Sequence, residues 1–211
     1  MPSAPEPCVF IVDDDEDIRT SLSRALRLRG YETSVFASAQ AFLEGYDPEQ
    51  PGCLILDYGL PEMTGLELQE LLITKGYALP VIFITGHGGV PESVRAMKLG
   101  ALDFLEKPFK QEVLLAQVDA ALELDARRRR GQDKARTAKA RFDRLTERER
   151  EIAGIFVSNP SSATSKDVAR QLDISPRTVD HHRARILEKM RVNSVAELID
   201  LAITTRLVEK R

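Results

Sequence analysis

The chain has 211 residues, 43% of them hydrophobic and 30% charged, a balance typical of a globular protein. No apolar run approaches the ~20 residues that a membrane-spanning helix needs, and residues 1–7 are rich in proline and lack the basic-then-apolar pattern of a signal peptide. We therefore expect a cytoplasmic protein of one large or two small domains, with no membrane partner.

Charge is distributed unevenly along the chain. Residues 1–124 hold 9 Lys and Arg against 20 Asp and Glu, whereas residues 125–211 hold 21 against 13. Much of the second excess lies in residues 125–141, with 8 basic and 2 acidic side chains. An acidic half followed by a basic half predicts separate partners, the second of them a polyanion.

Cys8 and Cys53 are the two cysteines of the chain, and each begins an apolar, strand-like run. Neither shows the spacing of metal ligands. Cytosolic chains rarely hold disulfides, so we expect two reduced thiols in the core.

The first half alternates short apolar runs with segments of helical periodicity. The predicted strands are residues 9–12, 33–36, 53–56, 81–84 and 102–105, and the predicted helices are residues 17–29, 39–43, 64–74, 91–99 and 111–124. Continuously apolar strands separated by helices are typical of a parallel sheet covered on both faces. The first half is therefore predicted to be an α/β domain with a doubly wound, five-stranded parallel sheet.

The second half is entirely helical in pattern. Residues 125–141 fit either a basic linker or an extension of the fifth helix, and direct contact of this segment with DNA phosphates stays open. Thr146 is a good cap for a helix that follows it, and a second helix begins near Ser165. After a short turn, Ser175 caps a basic helix whose first position is Pro176. A last helix is predicted over residues 194–205.

Polar side chains follow four of the predicted strands. Asp13 and Asp14 follow the first strand, Asp57 the third, Thr85 the fourth and Lys107 the fifth. The carboxyl ends of parallel strands share one edge, where such sheets bind ligands. We therefore expect these groups to converge in one pocket.

Three carboxylates in one pocket would repel one another unless a cation neutralises them. Mg²⁺ prefers oxygen ligands and would also reduce the charge barrier to attack by Asp57 on a phosphoryl group. Lys107 would supply a positive charge, and Thr85 a hydroxyl donor, to the phosphoryl oxygens. His87, in a glycine-rich loop beside Thr85, is not assigned a catalytic role.

The first half resembles the receiver domains of two-component response regulators, which share a CheY-like, flavodoxin-like fold. The match is carried by Asp13 to Asp15, Leu56-Asp57, Leu60-Pro61 with Gly65, residues 84–88 and the specific run of residues 96–109. It is most similar to the FixJ branch of the NarL/LuxR class.

This resemblance implies a role for each residue of the pocket. Asp57 would be the phosphoacceptor, Asp14 a direct metal ligand, Asp13 a ligand mainly through water, and the carbonyl of Gly59 a further ligand. The Lys107–Pro108 peptide would be cis. On phosphorylation, Thr85 would move toward the phosphoryl group and Phe104 would turn inward, which would alter a dimerisation face formed by the fourth helix, fifth strand and fifth helix, roughly residues 91–124.

Residues 143–205 resemble the LuxR-type helix-turn-helix in the runs 145–151, 166–169 and 172–179 and at His182, Ile186, Lys189 and Met190. A basic helix after a tight turn would enter the major groove of DNA. By this resemblance Lys166 and Thr178 would contact phosphates. Asp180, His181 and Ala184 would face bases, with Arg183 and Arg185 beside them, and His182 would pack inside.

One departure from that family lies in the loop of residues 158–164, which is about three residues longer than usual and lacks its glycine. The approach of the following helix to the DNA backbone is therefore open. Asp180 would repel phosphate and could accept a hydrogen bond from cytosine.

Together the two resemblances predict a DNA-binding response regulator, phosphorylated by a sensor histidine kinase, that dimerises and controls transcription. Its domains would be residues 1–124, a basic linker of residues 125–141 and residues 142–211. It would not be an enzyme beyond phosphorylating and slowly dephosphorylating itself. A Mg²⁺-dependent phosphatase is disfavoured because Gly59 stands where a second acid is expected, and a pure phosphate sink is disfavoured by the intact helix-turn-helix.

Overall fold

The computed structural model describes residues 5–86, 90–158 and 164–207. The chain divides into two compact units, Met1–Arg128 and Arg129–Arg211. None of the helices within the described ranges is both long and apolar enough to cross a membrane.

Five strands form one parallel sheet in the first unit. Their order across the sheet is β2-β1-β3-β4-β5, so the chain reverses its direction of winding after β2. The strands are β1 (Cys8–Val12), β2 (Glu32–Phe36), β3 (Gly52–Asp57), β4 (Val81–Thr85) and β5 (Asp103–Glu106). This confirms the predicted fold class, and each strand bound lies within one residue of the prediction.

Helices follow each strand: α1 (Glu16–Arg27), α2 (Ala39–Gly45), α3 (Gly65–Thr74), α4 (Val90–Lys98) and α5 (Gln111–Phe142). Side chains cap three of them where the sequence leaves the first backbone amides without partners. Asp15 caps α1, Ser38 caps α2, and Thr64 forms a reciprocal capping box with Glu67 in α3. Residues 125–141 are helical and extend α5, and their role as a linker stays a prediction.

The sheet is apolar on both faces. Alternate residues of β1, β3 and β4 pack on one side with α2 and α3 and on the other with α1 and α5. Cys8 belongs to the first of these clusters and Cys53 to the second, and both are free thiols in the buried core, as predicted.

Long-range hydrogen bonds attach α5 to the rest of the first unit, among them two made by carboxylates of α5. The buried carboxylate of Asp125 accepts from the amide of Gly52, at the beginning of β3, at 2.9 Å. The hydroxyl of Tyr31 donates to Asp119 at 2.6 Å, and this bond to a carboxylate is the main cause that raises the pKa of Tyr31 to about 12.

The second unit is helical and comprises α6 (Glu147–Ser158), α7 (Ser165–Leu172), α8 (Pro176–Met190) and α9 (Val195–Thr205) together with the end of α5. Ser175 caps α8 and Pro176 occupies its first turn, as predicted. Asp173 ends α7 in the left-handed conformation, with φ 51°, which sharply redirects the chain into the turn. Val179, Ile186 and Met190 form the inward stripe of α8.

Candidate functional site

The carboxyl edge of the sheet gathers the polar residues that end or follow the strands. Asp13 follows β1, Asp57 ends β3 and Thr85 ends β4, and all three are buried. Lys107 follows β5 and places its amide 2.7 Å from the carbonyl of Thr85, which extends the pairing of β4 with β5 by one residue. The structure therefore brings Asp13, Asp57, Thr85 and Lys107 to one edge.

The ammonium group of Lys107 lies between two carboxylates. Its Nζ donates to Oδ2 of Asp13 at 2.7 Å and to Oδ1 of Asp57 at 2.8 Å. Partial burial alone would lower the pKa of Lys107, but these two hydrogen-bonded acids outweigh burial and raise it. Lys107 is therefore a permanent cation at this edge.

Asp13 is almost fully withdrawn from solvent. Burial is the main cause that raises the pKa of its carboxyl, although Lys107 and the amide of Asp15 donate to it. Arg19, one turn into α1, donates to the carbonyl of Asp13 at 2.8 Å. A buried carboxylate with a raised pKa is one whose charge a further cation would stabilise.

Glycines allow the chain to turn tightly around Asp57. The amide of Gly59 donates to Oδ2 of Asp57 at 2.7 Å. A Cβ on Gly59 would approach that oxygen to 3.3 Å, and a Cβ on Gly65 would lie 2.4 Å from the carbonyl of Asp57. Gly65 therefore permits the close approach of α3 that shapes the loop after β3.

Asp14 differs from its two acidic partners because its side chain is exposed. Within the described residues, no three Asp, Glu, His or Cys side chains are grouped as metal ligands. Of the three carboxylates predicted to share the pocket, those of Asp13 and Asp57 lie on either side of Lys107, and that of Asp14 is exposed. The oxygens of Asp13 and Asp57 are nevertheless the hard, anionic donors that Mg²⁺ prefers, so this donor set fits the metal.

Phe104 packs with its ring on the buried side of β5. It contacts Tyr58 and Phe83 with ring centroids 5.8 and 5.9 Å away, and its side chain is half-buried. The Lys107–Pro108 peptide is cis, as the resemblance implied. His87 lies outside the described residues.

The second unit carries the residues predicted to contact DNA on α7 and α8. Side chains exposed to solvent are those of Lys166, Thr178, Asp180, His181, Ala184 and Arg185. Arg183 is half-buried, and His182 packs inward with its Nδ1 buried and unpartnered among the described atoms.

Ser165 joins the two helices through side chains. Its hydroxyl donates to Oδ1 of Asp180 at 2.6 Å and accepts from Nη1 of Arg183 at 3.1 Å. Arg183 also pairs with Asp180 at 3.2 Å. Thr164 caps α7 just before Ser165, so α7 has a regular beginning. Residues 159–163, which belong to the longer segment noted in the sequence, lie outside the described ranges.

Sequence reasoning missed two of these contributors. Arg19 looks like an ordinary charged residue of an amphipathic helix, and its target is a backbone carbonyl, for which the sequence gives no signal. Ser165 has the composition of a helix start, and its reach to α8 depends on how α7 packs. Neither could be found without the fold.

Two family models match the chain in the order of its units. Residues 9–119 match the response regulator receiver domain, and residues 143–202 match the luxR family of bacterial regulatory proteins.

Similar proteins extend over nearly the whole chain. It is 39% identical to the response regulator protein TmoT of Ectopseudomonas mendocina over 96% of this chain and 90% of that protein. It is 40% identical to the transcriptional regulatory protein FixJ of Rhizobium meliloti, over 92% of this chain and 94% of that protein. Among solved structures, the response regulator StyR has a TM-score of 0.82 at 40% identity, over 94% of this chain and 98% of that one.

Proposed function

The chain belongs to the response regulators that carry a luxR-family DNA-binding domain, and we propose that a phosphoryl group on Asp57 controls how its second unit binds DNA. The donor is a sensor histidine kinase. The observation that carries this proposal is Lys107, held within 2.8 Å of both Asp13 and Asp57 at the carboxyl edge of the sheet. We assign the receiver to residues 1–124, the basic helical connection to residues 125–141 and the DNA-binding domain to residues 142–211.

Phosphoryl transfer needs a nucleophile and charge stabilisation at one place. An oxygen of Asp57 attacks the phosphorus, the new P–O bond forms, and the P–N bond to the kinase histidine breaks, leaving the electron pair on the imidazole. Lys107 compensates the negative charge on the transferred group. Mg²⁺, held by Asp13, Asp14, Asp57 and the carbonyl of Gly59, would stabilise the phosphoryl oxygens.

Asp57 in this state is bound by two donors, Lys107 and the amide of Gly59. Once phosphorylated, it offers new acceptors and more negative charge. Thr85, which ends the strand between those of Asp57 and Lys107, then donates to the phosphoryl group. Phe104, already packed against Tyr58 and Phe83, follows into the space that Thr85 leaves. Phosphorylation thereby shifts the receiver's population toward its active conformation. The receiver catalyses only its own phosphorylation and slow dephosphorylation.

On the second unit, α8 enters the major groove. Lys166 and Thr178 contact phosphates, and His181 and Ala184 face bases, with Arg183 and Arg185 at their sides. Their exposure, Arg183 apart, supports this assignment. Because its proposed target is DNA, we assign the chain to the cytoplasm.

The function is tested by selecting bound fragments from a pool of random duplexes with the full chain, before and after treatment with acetyl phosphate and Mg²⁺. We expect one enriched sequence containing two half-sites, and tighter binding after phosphorylation because dimers engage both. Failure to enrich any sequence in either state would contradict the proposal.

Lys166→Ala should weaken binding of the selected duplex and reduce the slope of log affinity against log salt by about one, because each phosphate contact releases roughly one counterion. The measurement is a salt titration by fluorescence anisotropy. The exposed Lys134, on the α5 segment of the second unit, provides the control Lys134→Ala, for which we expect the wild-type slope. An unchanged slope for Lys166→Ala would remove Lys166 from the interface, and a changed one for Lys134→Ala would extend the interface to α5.

Phosphorylation acts through dimerisation of the face formed by α4, β5 and α5. This face carries large apolar side chains in solvent, Val94, Met97 and Val113. It also exposes basic residues on α4, Arg95 and Lys98, and an acid on α5, Glu112, so it offers groups of opposite charge to a second copy. A second copy of the chain is therefore the occupant we assign to it.

Met97→Glu should prevent the phosphorylated chain from dimerising, because two carboxylates would be buried in a symmetric interface. The apolar side chain of Met97 is 45% exposed, and that of Ile73 on α3 is 50% exposed, so Ile73→Glu is a matched control away from this face. Sedimentation velocity with acetyl phosphate measures the outcome. Dimers formed by Met97→Glu as readily as by Ile73→Glu would place the interface elsewhere.

A further inference from the structure

One flank of α8 is connected to the first turn of α7 by a closed set of three side chains. Ser165, Asp180 and Arg183 form three mutual contacts of 2.6, 3.1 and 3.2 Å. Asp180 and Arg183 are three residues apart, so they lie on the same side of α8. Their side chains remain about half accessible, at 50% and 43%.

Each group in this set has a defined hydrogen-bonding role. The Ser165 hydroxyl uses its single proton toward Asp180 and a lone pair toward Arg183. The same oxygen of Asp180 receives both Ser165 and Arg183. Among the described residues, Ser165 and Asp180 engage two of the five N–H donors of Arg183, so the guanidinium has further donors for an external acceptor.

This arrangement bears on how α8 can read DNA. Oδ1 of Asp180 accepts from Ser165 and Arg183, so these contacts orient the carboxylate toward α7 and Arg183 rather than toward a base. Arg183 is restrained at the α7 side of α8, beside the turn that carries Lys166. Fixing a long, flexible side chain before binding reduces the entropy lost on binding.

We propose that Asp180 is a positioning residue: it does not read a base itself but, with Ser165, holds Arg183 and the start of α7 in the geometry in which they meet DNA. This inference rests on the DNA-binding function proposed above. The negative charge of Asp180 also disfavours binding to the phosphates of non-specific DNA, so Asp180 contributes to sequence selectivity as well as to the position of Arg183.

The test uses the full chain and two probes, the duplex that the wild-type chain selects from random DNA and a scrambled duplex of equal length. Asp180→Ala should reduce affinity for the selected duplex about tenfold and leave affinity for the scrambled duplex unchanged or higher. Ser165→Ala should lose part of the same selectivity. The double variant should be no worse than Asp180→Ala, because both substitutions remove one shared network.

Glu188→Ala is the matched control, since it removes one exposed negative charge from the same helix. It should leave the ratio of the two affinities unchanged. Binding-site selection with Asp180→Ala should return the same preferred bases with weaker enrichment. Loss of preference at one base pair, additive effects of Ser165→Ala and Asp180→Ala, or equal behaviour of Asp180→Ala and Glu188→Ala would each overturn the inference. If the wild-type chain selected no sequence, the proposed function itself would fail instead.

Discussion

Asp57→Asn is expected to abolish uptake of phosphate from acetyl phosphate in the presence of Mg²⁺. The amide keeps the size of the carboxylate and an oxygen that can still accept from Gly59, at 2.7 Å in the wild-type chain, so the sheet edge should remain folded. It lacks the anionic oxygen that attacks phosphorus, and no other group can replace a covalent nucleophile. Intact-mass spectrometry of the treated chain measures the loss.

Asp17→Asn is the control for this substitution, because Asp17 is an exposed carboxylate in the first turn of α1. It should be phosphorylated at the wild-type rate. Stoichiometric phosphate on Asp57→Asn would transfer the acceptor role to another residue and contradict the proposed function.

Lys189→Ala should lower the free energy of unfolding of the second unit by about 2 kcal/mol. Lys189 donates to Glu149 at 2.6 Å, and the side chain of Glu149 is only 2% exposed. Removing one partner of a fully buried pair costs ~3–5 kcal/mol. We expect less here because a third of the Lys189 side chain still meets water.

The loss should depend on pH in a defined direction. Burial alone raises the pKa of Glu149, but hydrogen bonds from Lys189 and Thr146 more than offset it and leave the pKa lowered. A lowered pKa in the folded state stabilises the wild-type chain above the ordinary value of 4.5, and this stabilisation disappears as the pH falls through the folded pKa. The difference between wild type and Lys189→Ala should therefore be largest near neutral pH and shrink below about pH 4.5.

Hydrogen exchange of peptides from α6 and α8 isolates the second unit from the first in this measurement. Lys139→Ala removes an exposed pair with Asp143 at 3.6 Å and should cost at most ~0.5 kcal/mol. Equal protection in Lys189→Ala and Lys139→Ala would show that Glu149 tolerates burial without its partner.

Much of the fold was predictable because its elements carry strong local signals. A short apolar run bounded by turn residues, such as Cys53 to Leu56, is typical of a strand covered on both faces, and these residues are buried in β3. Ser175 followed by Pro176 predicts a helix start for a physical reason, because the serine side chain accepts from a free backbone amide and proline has no amide to leave unpaired. The parallel topology then places Asp13, Asp57, Thr85 and Lys107 at one edge without further information.

What failed to follow from the sequence depends on contacts between distant residues. The exposure of the Asp14 side chain, next to the buried Asp13, depends on how the loop after β1 packs, which the strand pattern does not show. The Arg19 contact is made to a backbone carbonyl, and the network of Ser165 requires knowing that α7 crosses the flank of α8. Residues 125–141 could be linker or helix because helix-forming residues there are surrounded by charge and have no apolar stripe.

The strand that ends in Asp57 begins at Gly52, whose amide is held by the buried carboxylate of Asp125 on α5. Sliding α5 along the sheet would leave this amide without a partner, at a cost of about 1–3 kcal/mol. Asp125 thus fixes α5 to the first residue of β3, the six-residue strand whose last residue is the phosphoacceptor. Motion released by phosphorylation should therefore pass through β4, α4 and β5, while the Gly52 end of the receiver serves as its fixed frame.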